Sequence, residues 1–340
     1  MEIFIDEGGQ FTQANGWGVV SALVLPDRET GPTRRKLAYL TRDWPRAPAG
    51  ELKGGSLNQG HLEALVDLLV ARSALLHAVA IDMANENDDG LKLHKQQQCE
   101  RLTMFLTQEH HGDLVAKVWE LRRTLEKMPT QLYVQSVLMN ELTATTIQLA
   151  TLYFAQRRPQ ELGSFRWTID AKDPLRITTQ ERWWRDTLGP LQESRSRIKP
   201  LNRVNDPDFN YKYFDKSYEL RAKTWHADKP REMVIGQDIG KILLTKMSFV
   251  DSRSNILIQA TDILTNFIRR LLTGQVTDSQ TARTLGRLQI RQSMAKGINQ
   301  SLHILTLTTE GRRERSHLAP ALRQMAAAGR SMIFRKREGE

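Results

Sequence analysis

Acidic residues recur at the ends of apolar segments in this chain. Four aspartates end apolar, strand-like runs and a fifth lies in a mostly apolar helical stretch, namely Asp6, Asp82, Asp170, Asp251 and Asp262. Carboxylates gathered in a partly buried place raise one another's pKa, and a divalent cation removes that conflict. Two Mg²⁺ ions about 4 Å apart can clamp both oxygens of a phosphodiester displacement. The pattern therefore indicates two-metal chemistry, although acids are also ordinary turn residues.

The first strand is predicted at the N-terminal end of the chain. Ile3 and Ile5 share one face and Phe4 faces the other, so both faces are apolar and a central strand is expected. The sequence Asp-Glu-Gly-Gly at 6–9 then places a carboxylate where the backbone can turn sharply. Further strands are predicted over the ranges 17–26, 75–83, 165–174 and 247–252.

A helix predicted from residue 256 onward carries polar residues on one side only. Gln259, Asp262 and Asn266 are spaced i, i+3, i+7 in a helix that is otherwise apolar. This polar stripe must therefore face something polar. Residues 89–158 show a 3.6-residue apolar period and are interpreted as a helical insertion with a structural role.

Composition limits the function classes. The 340 residues are 40% hydrophobic, which suits a globular protein, and the net charge of +10 favours a polyanionic partner such as nucleic acid. No 18-residue apolar run and no signal peptide pattern are visible, so no membrane association is expected. A single cysteine, Cys99, excludes an internal disulfide framework, and we expect a cytoplasmic protein.

Several segments resemble the motifs of the DUF3800 family. The sequence FIDEGG at 4–9 resembles its DES(G) opening, ELKG at 51–54 its E-x-K-G element, and WTID at 167–170 its internal strand. FVDS at 249–252, followed by IQATDIL at 258–264, resembles its closing D-S-x(n)-Q-x-A-D element. The match covers roughly the first 270 residues in the family's order.

The chain departs from the family pattern at two positions. Gly9 stands near where Ser is usual, and Thr261 replaces an Ala. Neither departure touches a carboxylate. The resemblance implies an α/β, RNase H-like fold, with a mixed central sheet, flanking helices and a helical insertion, and a metal-dependent nuclease activity.

The resemblance also implies a set of site residues. The implied ligands of two Mg²⁺ or Mn²⁺ ions are Asp6, Glu51, Asp170 and Asp262, with Lys53 neutralising a phosphate or orienting a water. Gln259 is expected to support Asp262. Further candidates are Glu7, Asp82 and Asp251. Asp82 rivals Asp170, because the strand after the first helix often carries a ligand in RNase H-like folds.

The expected organisation has two parts. Residues 1–275 form an RNase H-like domain with the helical insertion at about 92–160, and residues 276–340 form a basic helical C-terminal region. The side chains expected to bind phosphates of DNA or RNA are Arg269, Arg270, Arg283, Arg312, Arg313, Arg335, Lys336 and Arg337. A partner protein or a homo-oligomer stays open, and a role in defence or as a toxin-like effector follows from family association alone.

Two alternative functions are consistent with the sequence. The first is an RNase H-like module that binds nucleic acid or a partner protein without cutting it. The second is a HEPN-type RNase with an Arg-x4–6-His motif, which occurs at 72–77 and at 312–317. About one such match is expected by chance in an arginine-rich chain. The sequence contains no P-loop, HExxH, CxxC or GxSxG motif, so it gives no support to NTPase, zinc or serine-hydrolase functions.

Overall fold

The structure is a computed structural model that describes residues 1–12, 16–48, 50–104, 106–107, 110–171, 173, 176, 178–198, 215–220, 232–291, 302–308 and 318–333. Its strands are β1 (Glu2–Gly8), β2 (Trp17–Leu25), β3 (Leu75–Asp82), β4 (Arg166–Asp170), β5 (Asp215–Leu220), β6 (Glu232–Gln237), β7 (Met247–Val250) and β8 (His303–Leu305). Its α-helices are α1 (Asp27–Leu40), α2 (Gln59–Ala71), α3 (Asp88–Thr103), α4 (Gly112–Lys127), α5 (Thr130–Ala155), α6 (Thr179–Trp183), α7 (Gly189–Ile198), α8 (Ile239–Leu244), α9 (Ile256–Leu272), α10 (Ser279–Gly286) and α11 (Ala319–Ala328).

A mixed six-stranded sheet organises the described part of the chain. Its strand order is β7-β4-β1-β2-β3-β8, and β5 pairs with β6 separately. The first three strands form an antiparallel meander, whereas β4 is parallel to β1, β7 to β4 and β8 to β3. Every strand of this sheet except β2 therefore points its carboxyl end toward the same edge. The expectation of an α/β fold with a mixed central sheet is confirmed.

Two hydrophobic cores lie on the two faces of the sheet. Ile3 and Ile5 pack into the core beneath α5, and Phe4 packs into the core beneath α9. The second core also takes apolar side chains from α1, α2, α10 and α11. All nine residues of β2 are buried, because the strand lies inside the sheet and both of its faces are covered. The alternation along β1 thus decides which of its side chains face α9.

The predicted helical insertion is only partly peripheral. Helix α5 is an integral layer of the fold, since Val134, Leu138 and Leu142 are fully buried in the core that also holds Ile3 and Ile5. A helix with apolar residues on most of its circumference needs cover on several sides, and here the sheet and neighbouring helices supply it. Among the described residues, no helix has both the length and the apolar character needed to cross a membrane.

The predicted boundary after residue 275 does not coincide with a break in packing. Strand β8 joins the main sheet beside β3, and α10 and α11 contribute Leu285 and Met325 to the core beneath α9. These two helices approach closely, because a Cβ on Gly286 would lie 2.2 Å from the carbonyl oxygen of Met325. A three-residue strand such as β8 is too short for alternation to reveal it in the sequence.

The first HEPN-type motif lies in a structural setting that does not suit catalysis. Arg72 ends α2 and forms an ion pair with Glu29 at 3.1 Å. His77 lies inside β3, is 4% exposed, and its Nε2 has no hydrogen-bond partner. Burial lowers the pKa of His77 to about 4, so the ring is neutral and enclosed. The second motif, at 312–317, lies outside the described residues.

Replacing His77 should change how stability depends on pH. The unfolded chain takes up a proton near the ordinary histidine pKa of 6.5, whereas the folded chain resists protonation until about pH 4. Below pH 6.5 the unfolded state therefore binds more protons, and the free energy of unfolding falls by up to about 3 kcal/mol as the pH approaches 4. His77→Leu should flatten this dependence in urea denaturation at pH 7.5, 5.5 and 4.5.

A surface histidine provides the control for this measurement. His111 is exposed at the start of α4, and His111→Asn keeps a side chain that can cap the helix. That variant should keep the wild-type slope of stability against pH. An identical slope in His77→Leu and the wild type would contradict the assignment of the pH dependence to His77.

Candidate functional site

The carboxylate of Asp6 lies on the face of β1 that α9 covers. Asp6 lies two residues after Phe4 and so on the same face of the strand, is 5% exposed, and its side chain is hydrogen-bonded to that of Asp262 on α9. The end of the strand lies close to the helix, since a Cβ on Gly8 would be 3.0 Å from Cγ2 of Thr265. Two acids that are 256 residues apart in sequence are therefore neighbours.

Asp170 joins this pair from the adjacent strand. Ile5 pairs with Ile169 in the parallel β1–β4 ladder, so the next residues lie side by side: Asp170 at the end of β4, and Asp6 two residues before the end of β1. The hydroxyl and backbone N–H of Ser252 donate to Asp170, yet its Oδ1 is buried and has no hydrogen-bond partner. Burial raises the pKa of Asp170 above the ordinary value, against the opposing effect of Ser252. The carboxylate of Asp170 thus has one buried oxygen whose hydrogen-bonding capacity is unused.

The loop before α2 brings a fourth carboxylate and an ammonium group. Its backbone is fixed on α9 by two hydrogen bonds, from Leu52 N to Oε1 of Gln259 (3.1 Å) and from Gly54 N to Oδ2 of Asp262 (3.1 Å). Only a glycine allows this approach, because a Cβ at position 54 would lie 2.5 Å from Cβ of Asn266. The polar stripe of α9 therefore faces the 51–54 loop.

Among the described residues, Lys53 brings a positive charge to these acids. Its Nζ lies 2.9 Å from Oε1 of Glu51, and its charge also acts on Asp6, Asp170 and Asp262. Burial lowers the pKa of Lys53, but the hydrogen bond to Glu51 and the surrounding negative charges outweigh that effect and raise it overall. Lys53 therefore stays charged and serves as the counter-ion of the four acids, which we call the acidic cluster: Asp6, Glu51, Asp170 and Asp262.

The pKa of Asp262 shows the electrostatic conflict within the acidic cluster. Burial raises this pKa, and the negative charge of Glu51 raises it further. The backbone N–H of Gly54, the charge of Lys53 and the hydrogen bond with Asp6 act in the opposite direction without cancelling the rise. Asp262 thus holds a proton more readily than an exposed aspartate does.

The acidic cluster is not arranged as a ready coordination sphere. Within the described residues, no group of three or more His, Cys, Asp or Glu side chains is positioned to hold a metal ion. Its oxygens are nevertheless of the type that Mg²⁺ and Mn²⁺ accept, and they come from two strand ends, a loop and a helix. Binding a cation here would require the carboxylates to approach one another and Lys53 to move.

Two acids predicted as site candidates have other partners. Asp82 accepts a hydrogen bond from Asn85 Nδ2 at 2.7 Å, and β2 separates its strand from β1. Asp251 forms an ion pair with Arg253 at 2.5 Å, which lowers the pKa of Asp251. Both therefore stabilise turns after strands. Asp82 and Asp170 were alternative candidates for the same metal ligand, and the geometry favours Asp170.

An open polar cleft of about 390 Å³ adjoins the acidic cluster. Its lining is made by the turn after β1 and one side of α9: Glu7, Gly8, Gly9, Gln10, Asp262, Asn266 and Arg269. Glu7, a further candidate, thus lies at the rim of the site. The cleft gives solvent and solutes access to Asp262.

The predicted phosphate-binding side chains have different surroundings. Arg269 lines the cleft, whereas Arg270 donates from Nη1 to the carbonyl oxygen of Leu57 at 3.0 Å. Arg283 donates from Nε to Oε1 of Gln324 at 2.6 Å and so connects α10 to α11. The remaining five lie outside the described residues: Arg312, Arg313, Arg335, Lys336 and Arg337.

Sequence reasoning missed three contributors to the site. Ser252 was not singled out, because attention went to the acid before it, Asp251. Asn266 was recognised only as a member of the polar stripe of α9. Gly54 enters the sequence analysis only as the last residue of the ELKG segment. Gln259 also differs from expectation, because its amide connects Leu52 to the carbonyl oxygen of Ser252 (2.8 Å) and has no hydrogen bond to Asp262.

Comparison of the chain with protein-family models, with curated proteins and with solved structures found no match. The function of this chain is therefore inferred from the geometry and chemistry of the acidic cluster and its cleft.

The contact between the 51–54 loop and α9 can be tested with a matched pair of glycines. Gly54→Ala would force the loop away from Asn266, and we expect a loss of about 1–3 kcal/mol in the free energy of unfolding. Gly55→Ala is the control, because nothing lies within 4 Å of its added Cβ, and it should change stability by less than about 0.5 kcal/mol. Equal urea midpoints for the two variants would show that the loop does not pack on α9 as described.

Proposed function

We propose that this protein is a metal-dependent nuclease of the DUF3800 type, with an RNase H-like fold, that hydrolyses phosphodiester bonds of DNA or RNA. The observation that carries the proposal is the acidic cluster itself. Four carboxylates from four separate segments meet at the carboxyl edge of a mixed sheet, beside an open cleft. Structural ion pairs do not require four acids around one lysine, so this excess of negative charge needs a functional explanation.

The chemistry of the donor set fits Mg²⁺ or Mn²⁺. All four groups supply carboxylate oxygens, and the buried Oδ1 of Asp170 has no hydrogen-bond partner to give up. Asp6, Asp170 and Asp262 would hold the ions, and Glu51 would complete the set once Lys53 leaves it. A bound pair of such ions supplies water activation and stabilisation of the leaving oxygen.

The residues around the acidic cluster would orient it for this chemistry. Gln259 connects the loop that carries Glu51 to the turn that carries Ser252, and Ser252 in turn donates to Asp170. One amide therefore sets the relative positions of two acids. Lys53 would exchange Glu51 for a phosphate oxygen of the substrate and keep its positive charge, which its raised pKa favours.

A non-cleaving binding module is the second candidate, and one observation favours it. Lys53 already neutralises part of the acidic cluster from within. A site stabilised in this way by a lysine could retain its acids for folding or for contact with a partner. The two functions differ in whether any metal ion permits hydrolysis.

Replacing Asp6 tests the nuclease function. Asp6→Asn keeps size and hydrogen bonding but removes one negative charge, and we expect cleavage of labelled DNA or RNA to fall at least 10²-fold, about 2.7 kcal/mol of transition-state stabilisation. Nucleic-acid binding should survive or tighten, because a charge facing phosphate is lost. EDTA should stop cleavage by the wild type, and Mn²⁺ should restore it.

Asp82→Asn is the matched control in the same gel series, since it makes the same change at another strand end and should leave cleavage within a fewfold of wild type. The absence of cleavage by the wild type with any metal would indicate the binding module. Metal-independent RNA cleavage that is lost in His317→Ala and kept in Asp6→Asn would indicate a HEPN-type RNase. Cleavage that persists in both EDTA and Asp6→Asn would rule out the two-metal proposal.

A further inference from the structure

Arg269 differs from the other basic side chains near the acidic cluster. Lys53 pairs with Glu51, Arg253 pairs with Asp251, and Arg270 donates to a backbone carbonyl. The guanidinium of Arg269 has neither a hydrogen bond nor an ion pair in the part of the chain that the structure describes, and the residue lines the cleft. An arginine in this position, beside carboxylates, is well suited to bind an anion from outside.

The stem of Arg269 lies against the turn that follows β1. A Cβ built on Gly9 would be 3.4 Å from Cδ of Arg269, and one built on Gly8 would be 3.9 Å from it. Gly9 has a φ of +89°, a conformation that other residues adopt only with strain. The two glycines therefore leave room for the arginine stem over the backbone, with its charged end in the cleft.

Arg269 is also at a defined distance from the acidic cluster along the helix. Asp262, Asn266 and Arg269 occupy one side of α9 at i, i+4 and i+7, and all three line the cleft. Seven residues of α-helix span about 10 Å. Phosphates of one strand repeat every 3.4 Å or so along a B-form axis, and at longer intervals when the strand is extended. A strand with its scissile phosphate near Asp262 would thus present a later phosphate to Arg269.

The lining of the cleft selects the backbone of a nucleic acid rather than its bases. The described lining residues are glycines and polar side chains, and no aromatic ring is among them. These residues therefore offer no surface for the base stacking that single-strand binding proteins use. A sugar–phosphate backbone can use the amide of Asn266 and the guanidinium of Arg269.

We propose that Arg269 binds a phosphate that flanks the scissile one, within three nucleotides of it, so that the preferred substrate is a strand with several phosphates rather than a dinucleotide. This inference rests on the proposed function, because the scissile phosphate is located by the acidic cluster. It adds a phosphate subsite and a direction for the strand, along α9 from Asp262 toward its C-terminus.

The test compares short oligonucleotides in a binding assay. The probes are the thymidine dinucleotide TpT, with one phosphate, and the tetranucleotide TpTpTpT, with three, together with the corresponding uridine compounds. Affinity is measured by competition against a labelled twelve-nucleotide strand in a buffer that contains Ca²⁺. The length of each probe is checked after the measurement, to show that it was not cleaved. The wild type should bind the tetranucleotide about tenfold tighter than the dinucleotide, as expected for a charge-assisted contact.

Variants at Arg269 should remove this preference. Arg269→Ala should bind both oligonucleotides with nearly equal affinity, and Arg269→Lys should recover part of the difference because it keeps the charge without the planar fork. For the twelve-nucleotide strand, the slope of log affinity against log salt should fall by about 0.7 in Arg269→Ala, the value for one phosphate contact. Arg122→Ala, which removes an equal charge from an ion pair with Glu126 on α4, should change neither quantity.

The outcomes distinguish failure of this subsite from failure of the proposed function. A wild type that cleaves nucleic acid, with Arg269→Ala unchanged in both length preference and salt slope, would overturn the subsite and leave the nuclease proposal in place. A wild type that binds neither oligonucleotide and cleaves nothing would overturn both. Equal losses in Arg269→Ala and Arg122→Ala would also overturn the subsite, because the effect would then be one of overall charge.

Discussion

The contact between Lys53 and the acidic cluster is the interaction on which the account depends. Four carboxylates in a partly buried place repel one another, and among the described residues Lys53 is an ammonium group that offsets that repulsion. Burial, and after it the negative charge of Glu51, raises the pKa of both Asp170 and Asp262 despite the charge of Lys53. A second source of positive charge, a metal ion or a partner's cation, would relieve the repulsion. The chemistry of the site follows from this repulsion.

The fold holds these acids together through backbone contacts more than through side chains. The parallel β1–β4 pairing sets Asp170 beside Asp6, and the close approach at Gly54 brings the lysine-bearing loop onto α9. Gln259 then connects that loop to the turn beneath Asp170. Each of these contacts fixes the backbone of a segment that carries an acid. The acids are therefore held near one another although their negative charges repel. Of the four carboxylates, that of Asp262 is itself one of the supports, because it accepts the hydrogen bond from Gly54 N.

Local pattern was enough to predict much of the fold. The strands that became β1, β2, β3 and β7 show apolar runs, and α9 shows a polar stripe on an apolar helix. The burial of α5 in the core and the pairing of the short strand β8 were not predictable in the same way, since both depend on contacts with distant segments of the chain. The individual strands and helices follow from local pattern and the mixed sheet was implied by the resemblance to the DUF3800 family, whereas the joining of β8 follows from tertiary packing alone.

The site was predictable in composition but not in arrangement. Asp82 and Asp170 look alike in sequence, since each ends an apolar strand. They differ in their distance from Asp6, because β2 lies between β1 and the strand of Asp82, whereas the strand of Asp170 is the direct neighbour of β1. That choice depends on pairing between strands far apart in sequence, which no local spacing encodes. The exclusion of a side chain at Gly54 by Asn266 is likewise a contact between distant segments.

The most direct test of the central claim is anomalous scattering from crystals soaked in Mn²⁺. We expect anomalous peaks bounded by the carboxylates of Asp6, Asp170 and Asp262, with Lys53 Nζ displaced from Glu51. Peaks at this position would show that the excess negative charge serves to bind metal. Crystals that contain no peak there at millimolar Mn²⁺, and in which Lys53 still contacts Glu51, would contradict the account.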